Sequence, residues 1–471
     1  MALIGRDKEK ERLRRCLESD HSEFVIVYGR RRIGKTFLIK EFFKNKFTFY
    51  FVGAHNQGKD LQLGNFAYQL QKAARAPFAP KLDSWNDAFR ELQNYIETLS
   101  DGQKKVVFFD EMPWMDTQKS GFVPALETFW NSWATFRDDI LFVACGSATS
   151  WIVNKILRNQ GGLHGRTTAE IYLRPFNLNE TESLLQQSGI QWDRYQIAQA
   201  YMTLGGVPYY YTLLDNGMSL AQNIDLLFFS SKNATLRVEF KELFASLFKN
   251  SDKYLTVIRT LAGRREGYTR TEISEKTGIT GAGLTDILEN LERCDFIFGY
   301  SKFNSGSKNT IYRISDFYTL FYYSFVDGNA TTDQNYWQNM IKDGATTAWQ
   351  GFSFELLCFI HLQQIKNALG IAGVSTKSTT WRSKTRSAQI DLVIERADRM
   401  INLCEIKFSQ NEYQITTDYA NTIRRRAAIF VAETGTKYGI SNTFITTYGI
   451  LNGKGLSVVN NEIILDDLFK D

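Results

Sequence analysis

Apolar positions fall into two rhythms along this chain. The runs "FVIVY" from residue 24, "VVFF" from residue 106 and "ILFVAC" from residue 140 are unbroken, the pattern of strands buried on both faces of a parallel sheet. Phe37, Leu38, Phe42 and Phe43 follow the first run at helical spacing. From 176 to 245 the spacing stays helical and no comparable strand-like run occurs, which predicts a set of packed helices. Farther on, Thr269 and Glu272 are spaced as a capping box, Gly278 breaks the helix they open, and Leu284, Ile287, Leu288 and Leu291 mark one face of a second helix. "FIFGYSKFNSGSKNTIYRI" then predicts two strands around a Gly/Ser/Asn turn, completing the order of a winged helix-turn-helix. After an aromatic-rich connector around "DFYTLFYYSFVDG", Phe352, Leu356, Phe359 and Ile360 predict a helix. "AQIDLVIERADRMINLCEIKFS" predicts two strands joined by a polar turn.

A chain of 471 residues exceeds what one hydrophobic core usually serves, so about two to four domains are expected. The shares of hydrophobic (43%) and charged (23%) residues are those of an ordinary globular protein. No apolar run approaches membrane-spanning length, and the N-terminus becomes charged before a signal-peptide core can form. The protein is therefore expected to be soluble and cytoplasmic. Cys16, Cys145, Cys294, Cys358 and Cys404 show no paired spacing for zinc or disulfides, which fits a reducing compartment. A net charge of +5 is too small over this length to argue for nucleic acid by itself.

Chemistry enters at "GRRRIGKT". Gly29 and Gly34 bracket the spacing G-x-x-x-x-G-K-T between a strand and a helix, so backbone N–H groups can surround phosphates at the positive end of the helix dipole. Lys35 is placed to reach the terminal phosphates, Thr36 to put its hydroxyl on Mg²⁺, and Phe37 adjoins them at the nucleotide. "KKVVFFDE" supplies Asp110 for the metal and Glu111 to polarise an attacking water. Ser147, after the third apolar run, is placed either to sense the γ-phosphate or to cap the next helix. ATP and Mg²⁺ are thus the expected cofactors.

In chain order, "IGRDKEKERL", "GRRRIGKT", "VVFFDE", "CGSATSW", "GRTTAEIYLRPF" and "LGGVPYYY" resemble the archaeal-type ATPase family within the P-loop AAA and STAND group, over about the first 240 residues. The resemblance implies a P-loop parallel-sheet core over 1–175, a helical lid over 176–245 and ATP hydrolysis. It also implies that Ile4, Gly5 and Arg6 lie near the adenine and that Pro208, in the lid, closes over the nucleotide. Arg166 would sense phosphate, within its own subunit or across the interface of a homo-oligomer. A helix-start proline after two glycines explains Pro208 equally well.

The winged segment, 246–325, has a fold that reads DNA by laying its second helix in the major groove. That helix carries Thr285, Asp286, Glu289, Asn290 and Glu292, with Arg293 only at its end, and such a surface repels phosphates. Lys302 and Lys308 in the wing remain to hold a backbone. DNA contact and a packing or protein-binding role both stay open.

Near the C-terminus Asp391 sits on one apolar strand and Glu405 and Lys407 on the next. Residues two apart project to one face, and three charges on apolar strands call for a metal or for each other. The set resembles the D…(D/E)-x-K core of restriction-endonuclease-like folds, found in a C-terminal domain often fused to that ATPase family, here 326–471. The resemblance implies that Asp391 and Glu405 bind Mg²⁺, that Lys407 positions a water for phosphodiester cleavage, and that Glu355 adds a helix carboxylate. "WRSKTR" and "TIRRRA" would support a phosphate backbone. The other readings are an Asp391–Lys407 or Glu405–Lys407 ion pair, and a nuclease-like fold that binds without cutting.

The expected architecture is α/β: a P-loop NTPase core, a helical lid, a winged helix-turn-helix and a C-terminal α/β nuclease-like domain. Its expected work is ATP hydrolysis that regulates or positions a DNA-binding or nuclease-like end. The alternative is a slow nucleotide-dependent switch whose C-terminal half docks a partner protein, a reading the acidic helix favours.

Overall fold

The computed structural model describes residues 3–99, 102–147, 149–158, 161–248, 250–303, 310–331 and 333–470. They fall into two compact units, Met1–Arg174 and Pro175–Asp471.

The first unit is built on β1 (Glu23–Tyr28), β2 (Phe49–Val52), β3 (Lys105–Asp110), β4 (Ile140–Gly146) and β5 (Ala169–Tyr172), ordered β2-β3-β4-β1-β5. Every neighbouring pair is parallel. Phe24 and Ile26 of β1, Val107 and Phe109 of β3, and Phe142 and Ala144 of β4 pack on the helices Lys59–Ala74, Trp85–Glu97 and Phe122–Ser132. The alternate residues, Val25, Val27, Val106, Phe108, Leu141 and Val143, pack on the other face around Leu13, Leu38 and Ile39. Successive strand side chains point to opposite faces, so covering both faces demands an unbroken apolar run. Because β4 lies between β1 and β3, the segments leaving the carboxyl ends of these three strands converge, the usual place for a ligand in an open parallel sheet.

The second unit opens with helices whose N-termini are closed by their own sequence. Asn177 with Glu180, Asp193 with Gln196, Ser219 with Gln222 and Thr269 with Glu272 each form a reciprocal capping box. The helices Ser251–Ala262, Arg270–Thr277 and Gly281–Arg293 accompany an antiparallel sheet of β6 (Tyr268–Thr269), β7 (Ile297–Tyr300) and β8 (Ile311–Ile314), ordered β6-β8-β7. Gly278, at φ 70°, ends the first of the two helices read from the sequence, and Leu284, Ile287, Leu288 and Leu291 are the buried face of the second. Lys302 lies just after β7, and Lys308 falls outside the described residues.

A mixed sheet completes the unit: β9 (Thr376–Arg382), β10 (Gln389–Arg396), β11 (Met400–Lys407), β12 (Gly439–Thr446) and β13 (Asn461–Ile464), ordered β13-β12-β11-β10-β9. β10 runs antiparallel to β9 and β11, and β11, β12 and β13 are mutually parallel neighbours. The helix Thr417–Thr434 makes the crossover from β11 to β12 that parallel pairing requires.

Two segments differ from expectation. Residues 316–328 are not a connector: the helix Phe317–Phe321 runs into a wider π-helical turn, Tyr322–Val326, that buries Phe317, Tyr318, Phe321, Tyr322 and Phe325. The helix Gly344–Ile360 buries Trp349, Phe354, Leu357 and Cys358 beside Phe352 and Leu356, while Ile360 is 45% exposed. It packs on β11 and also on the helix Arg194–Leu204, and burial on more than one side blurs a single apolar stripe.

Residues from 176–245, 246–325 and 326–471 interlock within this unit. The Leu178 N–H donates to His361 Nε2 at 3.2 Å, Tyr195 stacks on Phe408 with centroids 4.7 Å apart, and Arg313 lies over the Phe352 ring. Burial pushes the His361 imidazole down to about 4, so it stays neutral and Nε2 accepts. All five cysteines are buried and free, and no helix among the described residues is long and apolar enough to cross a membrane.

Candidate functional site

Between β1 and the helix Lys35–Phe42 the loop turns on two glycines in the left-handed region, Gly29 at φ 147° and Gly34 at φ 88°. A Cβ at Gly29 would stand 2.4 Å from the Leu173 carbonyl oxygen and 2.6 Å from Ile33 Cδ1, so the loop closes only around glycine there. At Gly34 nothing crowds that position, and the requirement is conformational alone.

The helix that follows places Lys35 and Thr36 at its start. Lys35 Nζ is buried and donates to the carbonyls of Gly29 at 3.0 Å and Arg30 at 2.8 Å, and to Ser147 Oγ at 3.1 Å. Thr36 Oγ1 donates to Asp110 Oδ1 at 2.9 Å, joining the loop to the end of β3. Asp110 also accepts from Cys145 Sγ at 2.7 Å and from the Tyr50 hydroxyl at 3.3 Å. Burial, reinforced by Asp110, pushes both the Cys145 thiol and the Tyr50 phenol above their ordinary values, so both donors stay neutral. Three neutral donors orient the carboxylate without cancelling its charge. A hydroxyl and a carboxylate side by side are hard oxygen donors and fit Mg²⁺, whose remaining positions go to water and phosphate oxygens.

Glu111 is held in the left-handed region at φ 49°, which turns it out of the strand direction. Its Oε1 accepts from Ser147 Oγ at 2.8 Å and its Oε2 from the Ser147 N–H at 3.2 Å. The Ser147 hydroxyl links Lys35 to Glu111. Lys35, Thr36, Asp110, Glu111 and Ser147 therefore come together as two hydrogen-bonded sets joined by the adjacent pairs Lys35–Thr36 and Asp110–Glu111. Gly5 and Arg6 are consecutive left-handed residues leading into the helix Asp7–Glu18, and Phe37 is exposed on the helix after the loop. Arg166 is exposed in a turn before β5, outside these sets. Pro208 opens the helix Pro208–Tyr211 in the second unit, the helix-start use.

In the second unit, Leu392 of β10 faces Cys404 of β11, a register that sets Asp391 across from Glu405, and Asp391 Oδ2 accepts the Ile406 N–H at 3.2 Å. Glu405, expected as an open metal ligand, has both oxygens engaged. Lys407 Nζ lies 2.7 Å from Oε1, Arg426 Nη1 lies 2.9 Å from Oε2, and the Tyr419 hydroxyl donates to Oε1. Among the described residues no group of three or more His, Cys, Asp or Glu is arranged to hold a metal. Of the readings open from the sequence, the Glu405–Lys407 ion pair is formed in this arrangement. Its physical reason is the position: a carboxylate buried on a strand must be compensated, and fixed cations two residues and one helix away do so.

Burial, then Glu405 and Glu355, push the Asp391 carboxyl up to about 8, and burial likewise raises Glu355. Burial disfavours the Lys407 charge, but the adjoining Glu405 overrides it and raises that group above its usual range. Tyr419 carries no signal in the sequence, although its spacing of seven from Arg426 places both on one face of the helix Thr417–Thr434. Arg426, part of the basic run expected to meet phosphate, turns inward to Glu405, while Arg424 and Arg425 are exposed. On the acidic helix, Asn290 donates to the Tyr254 hydroxyl and Glu292 accepts from the Gly299 N–H, leaving Thr285, Asp286 and Glu289 exposed.

Residues 3–214 match an ATPase domain found predominantly in Archaea, so this part of the chain carries an ATPase domain of that type. The chain is 22% identical over 477 residues to an uncharacterized protein of Methanocaldococcus jannaschii, covering 99% of both. A stretch of 44 residues is 46% identical to an uncharacterized ATP-binding protein of the same organism, covering 9% of this chain and 75% of that one. Among solved structures, the Walker-type ATPase of Pyrococcus abyssi is similar with a TM-score of 0.48 and 19% identity, over 68% of this chain and 96% of that chain.

Proposed function

We propose that the chain binds ATP at the loop 29–36, hydrolyses it with Mg²⁺, and uses that cycle to control its second unit. The observation that carries this reading is the pair of hydrogen-bonded sets joining Thr36 to Asp110 and Lys35 through Ser147 to Glu111. Thr36 and Asp110 would hold Mg²⁺, which supplies neutralisation of charge on the phosphate oxygens. Lys35 exchanges the Gly29 and Arg30 carbonyls for phosphate oxygens, and Glu111 exchanges Ser147 for the attacking water, orienting it in line. Ser147, released from both, is left beside the terminal phosphate. Gly5, Arg6 and Phe37 flank the nucleotide, with Arg166 as the phosphate-sensing residue.

A Glu111→Gln variant should still bind ATP, while single-turnover hydrolysis falls by about 10²–10³-fold, the cost of losing one preorganised group. A wild-type rate in that variant would assign the water to another residue.

In the second unit we read 246–325 as a winged helix and 326–471 as a nuclease-like fold that binds without cutting. The engagement of both Glu405 oxygens by Lys407, Arg426 and Tyr419 favours binding over cleavage. Supercoiled plasmid incubated with the chain, Mg²⁺ and ATP should stay supercoiled. Nicking that disappears in Asp391→Ala would instead make Asp391 part of a working nuclease.

A further inference from the structure

A cavity of about 240 Å³ in the second unit is walled in part by Arg264, Arg265, Arg313, Phe325, Trp349 and Phe352. Arg313, on β8, is only 5% exposed, and its guanidinium carbon sits 4.4 Å from the centroid of the Phe352 ring. Its Nε and Nη2 are buried and have no hydrogen-bond partner among the described residues. Trp349, also 5% exposed, has its indole Nε1 in the same condition. Arg265 is exposed at the rim, its guanidinium 5.2 Å from the same Phe352 ring. Arg264 is committed elsewhere, paired with Glu272 at 2.8 Å, and contributes only its charge.

Arginine and tryptophan side chains are donors with no acceptor capacity, so the unmet demand of Arg313 and Trp349 is for an acceptor alone. A buried guanidinium without an acceptor bears its full desolvation cost, and burial accordingly pulls the Arg313 value down. The carboxylates whose charge acts on Arg313 are Glu355, one helical turn beyond Phe352, then Glu266 and Asp391, and its Nε and Nη2 have no hydrogen-bond partner among the described residues. The paired N–H groups of a guanidinium form a fork suited to two oxygens of one anion. Two guanidinium groups and a neutral N–H on one cavity match an anion with several oxygens better than a single carboxylate.

We propose that this cavity binds a phosphate group, presented by a small phosphate ester or by a nucleic-acid backbone, with Arg313 and Arg265 as its cationic clamp and Trp349 as a neutral donor. The site is separate from the nucleotide loop of the first unit and does not depend on how that loop is read.

The test uses the full chain carrying Lys35→Ala, so that the loop 29–36 does not contribute. Inorganic phosphate and, separately, a single-stranded oligonucleotide are titrated by calorimetry at low ionic strength. One phosphate should bind per chain, with affinity falling about tenfold or more in Arg313→Gln and severalfold in Arg265→Ala. Arg265 is exposed, so its variant reports on the site even if Arg313→Gln fails to fold, which thermal unfolding would reveal. Binding of the oligonucleotide but not of phosphate, lost in the same variants, would support the site and identify the backbone as the source. No binding of either ligand, or binding unchanged in Arg265→Ala and in a folded Arg313→Gln, would overturn the proposal.

Discussion

Lys35→Ala should abolish ATP binding and lower turnover by at least about 10²–10³-fold, because one preorganised charge carries the contact with the terminal phosphates. The Lys35 ammonium is buried, and it donates to two backbone carbonyls and to a hydroxyl that itself donates to Glu111. Burial holds the ammonium at the mouth of the loop, where phosphate oxygens can replace the two carbonyls. Charge-assisted hydrogen bonds of this kind contribute about 1.5–3 kcal/mol each, and a methyl group replaces none of them. The variant also frees the Gly29 and Arg30 carbonyls. Thermal unfolding should therefore accompany the binding isotherm and the phosphate-release assay. An unchanged hydrolysis rate in a folded variant would remove this site from the account.

Glu405→Ala should destabilise the second unit by about 3 kcal/mol, near the low end of what breaking a buried ion pair costs. The carboxylate is buried, but the Lys407 and Arg426 side chains are 30% and 27% exposed, so water recovers part of their lost compensation. The variant strands two cations and the Tyr419 hydroxyl at once. Glu405→Gln should cost less, since an amide oxygen still accepts from Tyr419. Urea unfolding followed by far-ultraviolet circular dichroism measures both. A loss below about 0.5 kcal/mol for Glu405→Ala would mean that the cluster behaves as a solvated surface pair.

Much of the first unit was legible because its constraints are local. Unbroken runs such as "VVFF" report a strand covered on both faces, and the glycine spacing reports a loop whose backbone must pass through the left-handed region. Asp110 and Glu111 were legible as the first polar residues after such a run. Tyr50 and Cys145 were not: each is an ordinary member of its strand, and only the order β2-β3-β4 brings both beside Asp110. In the second unit, the capping box at Thr269 and the stripe from Leu284 to Leu291 repeat within a helix and were read directly. The aromatic segment 316–328 does not show its helix in the sequence because a π-helical turn disrupts the regular period. Asp391, Glu405 and Lys407 were placed on the right strands, but Arg426 lies one helix away and its pairing with Glu405 depends on the crossover between β11 and β12. Arg313 carried no sequence signal, since an arginine in a short strand of a hairpin ordinarily faces water.

The central claim is Mg²⁺-dependent ATP hydrolysis at the junction of Thr36 and Asp110. It is tested most directly by measuring phosphate release from ATP by the full chain as Mg²⁺ is removed with a chelator and restored, alongside an Asp110→Asn variant. The account predicts turnover that is lost on chelation, returns with Mg²⁺ and is nearly absent in the variant. Turnover indifferent to Mg²⁺, or a variant as fast as the wild type, would contradict it.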